Sequence, residues 1–143
     1  TYGTSNSSLV EIDTVILMDL AFDVIDFGYL DPGAVDQPAQ GNAEDKHNIS
    51  IDDNSKPVDD LWIKGTDLTS ELDPSYEIGV SNISYGLQND FSQSYRMNKN
   101  YSHLASDISP GTNLTTYYWL DVPFGMTQSG YNGTITFKAN STD

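Results

Sequence analysis

The chain has 143 residues, 21 of them acidic and only 6 basic, which gives a formal net charge of −15. A surface this acidic repels phosphate backbones and anionic headgroups, which excludes a nucleic-acid binder and disfavours binding to anionic membranes. The hydrophobic fraction of 37%, with nine tyrosines, is enough to pack a core in one domain, and no stretch reaches the ~18 apolar residues that a membrane span requires.

In chain order, the first element is an alternating run. Val10, Ile12, Thr14, Ile16, Met18, Leu20, Phe22 and Val24 share one parity. The other parity carries Glu11, Asp13, Asp19 and Asp23, along with Leu9, Val15 and Leu17. A period of two predicts a long strand, broken near Ala21; a helix would scatter the acids around its circumference. Asp31-Pro32-Gly33 predicts a turn, because proline presets φ and glycine accepts a positive one. A polar loop then leads to a short strand at His47–Ile51 and an acidic turn at Asp52-Asp53-Asn54. Further strands are expected at Leu61–Gly65, Tyr76–Ser84, Asn113–Val122 and Tyr131–Ala139. Residues 86 to 109 are weakly patterned and predict a loop with one strand. The spacing points to an all-β fold, an immunoglobulin-like or jelly-roll β-sandwich of about seven to nine strands. Residues 21–143 form that single domain. Residues 1–20 hold a polar tail and the first half of the alternating run.

The motif N-x-Ser/Thr occurs at Asn6, Asn48, Asn82, Asn100, Asn113, Asn132 and Asn140. With Ser and Thr at roughly a fifth of the chain, eleven asparagines give about two such sequons by chance. The excess predicts N-linked glycans on several sides of an exported domain, each on an exposed strand face or loop. The start at Thr1 is read as a mature chain whose signal peptide has been removed. The chain contains no cysteine. A secreted domain without disulfides must rely on its core, bound ions, glycans or neighbouring subunits.

Chemistry-bearing patterns are sparse. His47 and His103 are the only histidines, and both are expected to be exposed or partly buried. Neither belongs to a hydrolase or zinc signature, and no phosphate loop occurs, so the chain is expected not to be an enzyme. Asp52 and Asp53 in one turn, with Asp59 and Asp60 a few residues on, could offer calcium its oxygens, although a solvated acidic loop is the simpler reading. No other cofactor is required. Trp62, Tyr117, Tyr118 and Trp119 read either as core aromatics or as a sugar platform.

Two stretches carry a resemblance. One is Phe27-Gly28-Tyr29-Leu30-Asp31-Pro32-Gly33. The other runs from Pro110-Gly111-Thr112-Asn113 into Tyr117-Tyr118-Trp119-Leu120-Asp121-Val122-Pro123 and on to Gly130–Thr136. Together they resemble immunoglobulin-like β-sandwich domains of archaeal cell-surface proteins, over the first and last thirds of the chain. The resemblance implies a place at the cell surface and a class that includes subunits of extracellular filaments, threads and bundling pili. Such subunits are joined by donor-strand complementation, where one N-terminal strand completes the next subunit's sheet. Here the candidate donor is Leu9–Leu20, with Val10, Ile12, Ile16, Met18 and Leu20 filling successive pockets. The same strand could instead pair within its own domain. The expected partners are identical subunits in a homopolymer, with surface glycans or neighbouring cells as further partners. The alternative is a monomeric or S-layer-associated adhesin or ligand-binding module.

Overall fold

Among the described residues, the alternating N-terminal run pairs as a strand over three residues and leaves the sheet after Ala21. In a computed structural model, which describes residues 16–141, the first strand, β1, is Met18–Leu20. It lies antiparallel to β3, Asn48–Ile51, with Met18 opposite Ile51 and Leu20 opposite Ile49. The Ala21 N–H donates the last bond of this ladder to the Asn48 carbonyl at 2.9 Å. The chain then leaves the sheet. Ile25, Phe27 and Leu30 reach the core from irregular backbone, while Val24 is 67% exposed. The alternation beyond Ala21 therefore reports a loop that dips in and out of the core. The turn at Asp31–Gly33 forms as expected, with Gly33 at φ +86° and the Ala34 N–H bonded to the Asp31 carbonyl.

Among the described residues, thirteen short strands build four antiparallel sheets in two layers. One layer holds β1–β3–β10, with β10 at Asn113–Thr115, and a second sheet of four strands. That second sheet runs β2 (Gln37–Pro38), β11 (Tyr117–Leu120), β7 (Ile83–Gly86), β8 (Tyr95–Arg96). The facing layer holds β13 (Ile135–Asn140), β4 (Val58–Gly65) and β9 (Ser102–Ile108). Its β13–β4 pair continues into the sheet of β12 (Tyr131–Asn132), β5 (Leu68–Ser70) and β6 (Glu77–Ile78). Among the described residues the only helices are three single 3-10 turns, at Asn42–Glu44, Val80–Asn82 and Phe91–Gln93. No helix among them is long and apolar enough to cross a membrane.

The strands outnumber the expected seven to nine because the longer ones are broken. Asn113–Val122 splits at Thr116, whose N–H donates to the His47 carbonyl at 2.8 Å. There the chain crosses from the β3 sheet to the β7 sheet, so one sequence run serves two sheets. Tyr131–Ala139 splits at Gly133, and Tyr76–Ser84 splits around the turn at Val80–Asn82.

Strand β4 supplies both halves of the core. Ile63 packs with Ile83, Tyr85, Tyr118 and Leu120 in one cluster; Val58 and Leu61 pack with Ile49, Ile51 and Ile108 in the other. Burying each such aliphatic side chain contributes roughly 1.5–3 kcal/mol. Ile16 and Met18 pack against the second cluster, so residues 16–20 belong structurally to the sandwich.

His47 departs from its expected exposure. It is 2% exposed, with its ring edge-on between Phe22 and Tyr118 at 5.3 Å from each. Its Nδ1 is buried without a hydrogen-bond partner. Burial disfavours the imidazolium and lowers the His47 pKa below its ordinary 6.5. The folded state therefore resists protonation that the unfolded chain accepts. The stability that His47 allows is fully present above pH 6.5 and is lost as pH falls from there toward the depressed folded value. A His47→Phe variant should remove this step; parallel melting curves of wild type and variant between pH 7.5 and 5 should diverge only on the acid side.

Candidate functional site: a sheet edge and its outer face

The outer face of the β13–β4–β9 sheet gathers the side chains that the alternation of β4 turns away from the core. Lys138 lies opposite Trp62, Thr136 opposite Lys64 and Asn140 opposite Asp60. Across the other border of β4, His103 lies opposite Trp62. The rings of Trp62 and His103 meet edge-on at 5.1 Å, and His103 Nε2 is 2.9 Å from Asp60 Oδ1. The Lys138 ammonium sits 4.5 Å from the centroid of Tyr101 and 5.5 Å from that of Trp62. The Lys64 ammonium sits 4.6 Å from Tyr101. At a partly exposed site each such cation–π contact contributes about 0.5–1 kcal/mol.

This face is unusual in its charge. Lys46, Arg96 and Lys99 are ion-paired with Glu44, Asp121 and Asp67. Among the described residues, Lys64 and Lys138 have no carboxylate within ion-pair distance. In a chain of net charge −15, two cations on one face, whose carboxylate, Asp60, is turned to His103, are its clearest positive spot.

The edge beside that face is equally distinctive. Among the described residues, β13 pairs with β4 alone. Its six residues contain no proline, and none has a positive φ. Among the described residues, no backbone bond joins its other side to another segment. The inward residues Ile135, Phe137 and Ala139 pack against the two core clusters yet remain only half-buried, so the core is incompletely covered along this edge.

The other edges are short or blunted. β1 and β10 have three residues each, and β6, β8 and β12 have two. β2 has two, one of them Pro38. β9 is long, but its register slips between Leu61 and Trp62, leaving Leu104 as the extra residue, and Asp107 has φ +54°. Short strands, proline and bulges are the usual protections of a sheet edge. β13 has none of them. A lysine normally guards an edge too, but Lys138 is drawn back over the sheet by Tyr101 and Trp62.

The sequons fall into two groups. Asn100, Asn113, Asn132 and Asn140 are exposed, as a glycan requires. Asn48 and Asn82 are half-buried. The Asn48 amide nitrogen donates to the Asp45 carbonyl at 2.8 Å and its Oδ1 accepts from the Thr115 hydroxyl at 2.6 Å, on the central strand of its sheet. Glycopeptide mapping of the native protein is expected to find sugar at the four exposed positions and an unmodified Asn48. Asn6 lies outside the described residues.

Of the candidate donor residues, Val10 and Ile12 also lie outside the described residues. Ile16 and Met18 are seated against their own chain's core, and Leu20 is at the exposed end of β1. Asp52 and Asp53 sit in the turn after β3, where Asp52 Oδ1 accepts from the Asn54 N–H at 2.8 Å. Asp59 and Asp60 lie on β4, and Asp60 faces His103. Among the described residues, no group of three or more His, Asp or Glu side chains converges to hold a metal ion.

The aromatic run Tyr117–Trp119 is buried throughout, which leaves Trp62 as the one surface aromatic among those singled out from the sequence. Its partner Tyr101 was hidden in the weakly patterned region. Comparison with protein-family models and with curated proteins finds no match for this chain.

Proposed function

We propose that this chain is a structural subunit of an extracellular, N-glycosylated cell-surface filament, pilus-like or thread-like, whose subunits join by β-strand donation. The observation that carries the reading is the unguarded six-residue edge of β13 beside a half-covered core. Such an edge offers a row of backbone donors and acceptors to an added strand, and the apolar side chains of that strand would complete the core. The alternating N-terminal run supplies a strand of the required pattern. The seven sequons support an exported location, and a chain without cysteine gains stability from its neighbours.

A second reading, a surface adhesin that works as a monomer, is favoured by the exposed face of Trp62, Tyr101, Lys64 and Lys138. Electron microscopy and size-exclusion chromatography of the purified native protein separate the two. Filaments are expected. A protein that stays monodisperse after prolonged concentration overturns the filament and leaves the adhesin.

A further inference from the structure

Resting on the exported, N-glycosylated reading and not on strand donation, we infer that the glycan on Asn140 folds back along the outer face of its own sheet. A neutral sugar lies beside Asp60, and an anionic one, a uronate or a sulfated sugar, is held by Lys138 and Lys64.

The tether comes first. On this face Asn140 lies opposite Asp60, Lys138 opposite Trp62 and Thr136 opposite Lys64. Side chains two apart on a strand leave the same face, so Asn140 shares the outward parity of Lys138 and Thr136. Asn140 is exposed, and a sugar on its Nδ2 starts over the sheet. From Asn140 to Thr136 is about 14 Å along the strand, a length that a short oligosaccharide covers. A ligand tethered at the rim meets the site at an effective concentration in the millimolar range, so weak contacts suffice to hold it.

The chemistry of the face suits an anionic saccharide. Trp62 and Tyr101 are half-buried, and the open part of each ring is an apolar surface for the C–H face of a pyranose. The Lys138 and Lys64 ammoniums both gather at Tyr101, 4.5 and 4.6 Å from its centroid. An anionic group between them forms charge-assisted bonds with both. Beyond Lys64 the face opens into a groove of about 600 Å³, lined by Thr66, Thr69, Thr134, Thr136 and Lys99. Their hydroxyls and ammonium offer partners to sugar hydroxyls.

Charge sets the order of the sugars. Asp60 faces Asn140 directly, so an anionic sugar at the linkage meets a like charge. One row further along the strands, the lysines offer the opposite charge. The other exposed sequons lack this geometry. Asn113 belongs to the β1–β3–β10 sheet. Asn132 Nδ2 donates to Glu71 Oε2 at 2.6 Å, and the Asn100 N–H bonds Asn98 Oδ1 in a turn ahead of β9.

Amine acetylation of the native glycoprotein, read lysine by lysine by mass spectrometry, tests the inference. The free amine is the form that reacts, and a neighbouring anion favours the ammonium and slows it. Thr142→Ala removes the sequon and keeps Asn140. It should speed acetylation of Lys64 and Lys138 by roughly threefold or more, the effect of about half a pKa unit. Lys46 should be unchanged, which also reports an intact fold. Asn140→Gln should behave alike. In about 1 M salt, where screening is nearly complete beyond ~3 Å, the two lysines should speed up in the wild type and not in Thr142→Ala. The Asn140 glycopeptide should contain an anionic sugar. All proteins are compared in one state of assembly, so that a neighbouring copy shields each equally.

A wholly neutral Asn140 glycan, a bare Asn140 in a protein glycosylated elsewhere, or lysine rates that ignore Thr142→Ala overturn the inference alone. A larger acceleration from Asn100→Gln or Asn132→Gln overturns the Asn140 assignment. A native protein without sugar on any asparagine overturns the N-glycosylated reading as well.

Discussion

Deleting residues 1–15 is expected to abolish filament assembly and leave the monomer folded. Every buried apolar side chain among the described residues lies between Ala39 and Val122, and β1 begins only at Met18. The deletion therefore removes the proposed donor without touching the ladder between β1 and β3. Its melting temperature should stay within a few degrees of the full chain's. A deletion that continues to residue 20 behaves differently. It strips Ile16 and Met18 from the second cluster and opens β3 along the edge that β1 covers. It also removes the Leu17 N–H bond to Ser55 Oγ and the Asp52 N–H bond to the Leu17 carbonyl. Two apolar side chains and a short ladder together amount to about 4 kcal/mol. In a domain of this size that lowers the melting point by roughly 10–15 °C. The pair of deletions separates joining from folding. A shorter deletion that still polymerises refutes donation by residues 9–15, and one that unfolds the monomer shows that those residues serve their own sandwich.

The sequence made the fold class legible, and the reason is local. Strands such as Ile135–Asn140 and Val58–Gly65 each have one face on the core, and a half-buried strand shows its period of two directly. What the sequence hid was set by distant contacts. Asn113–Val122 looks like one strand because Leu114, Thr116, Tyr118 and Leu120 keep their parity across the break. Only the bond from Thr116 to the His47 carbonyl reveals the change of sheet. β9 was obscured because its extra residue, Leu104, shifts the inward set by one position. His47 reads as a surface residue between Lys46 and Asn48, yet Phe22 and Tyr118 enclose it from segments far away in sequence. The candidate interface was harder still. Whether a strand lies in the middle of a sheet or at its edge depends on which strands pair, and no local pattern records that. Lys138 looked like any polar-parity lysine. Its retreat from the edge depends on Tyr101 and Trp62, each brought beside it by the sheet.

Asn42→Ala is expected to destabilise the domain by about 3 kcal/mol, lowering its melting point by roughly 10 °C. Asn42 is 2% exposed and lies where β2 has already ended and β11 still needs a partner. Its side-chain amide imitates a strand. Nδ2 donates to the Tyr118 carbonyl at 2.8 Å, and Oδ1 accepts from the Tyr118 N–H at 3.2 Å. The carbonyl also accepts from the Ala39 N–H, so it keeps one partner when the amide is lost. The N–H has no such reserve, and alanine leaves it unpaired inside the core, beside the fully buried Tyr118 ring. The unpaired donor dominates the cost, with a small cavity added. Asn42→Asp tests the assignment further, since it preserves shape and still accepts from the Tyr118 N–H. At neutral pH it sets a carboxylate oxygen against the Tyr118 carbonyl in a buried site, which should cost at least as much as alanine. Protonation at low pH turns that oxygen into a donor and restores the second bond. The deficit of Asn42→Asp relative to wild type should therefore shrink between pH 7 and pH 4, whereas that of Asn42→Ala should stay constant. Parallel pH dependence in the two variants would show that the amide fills space and does not act as the missing strand.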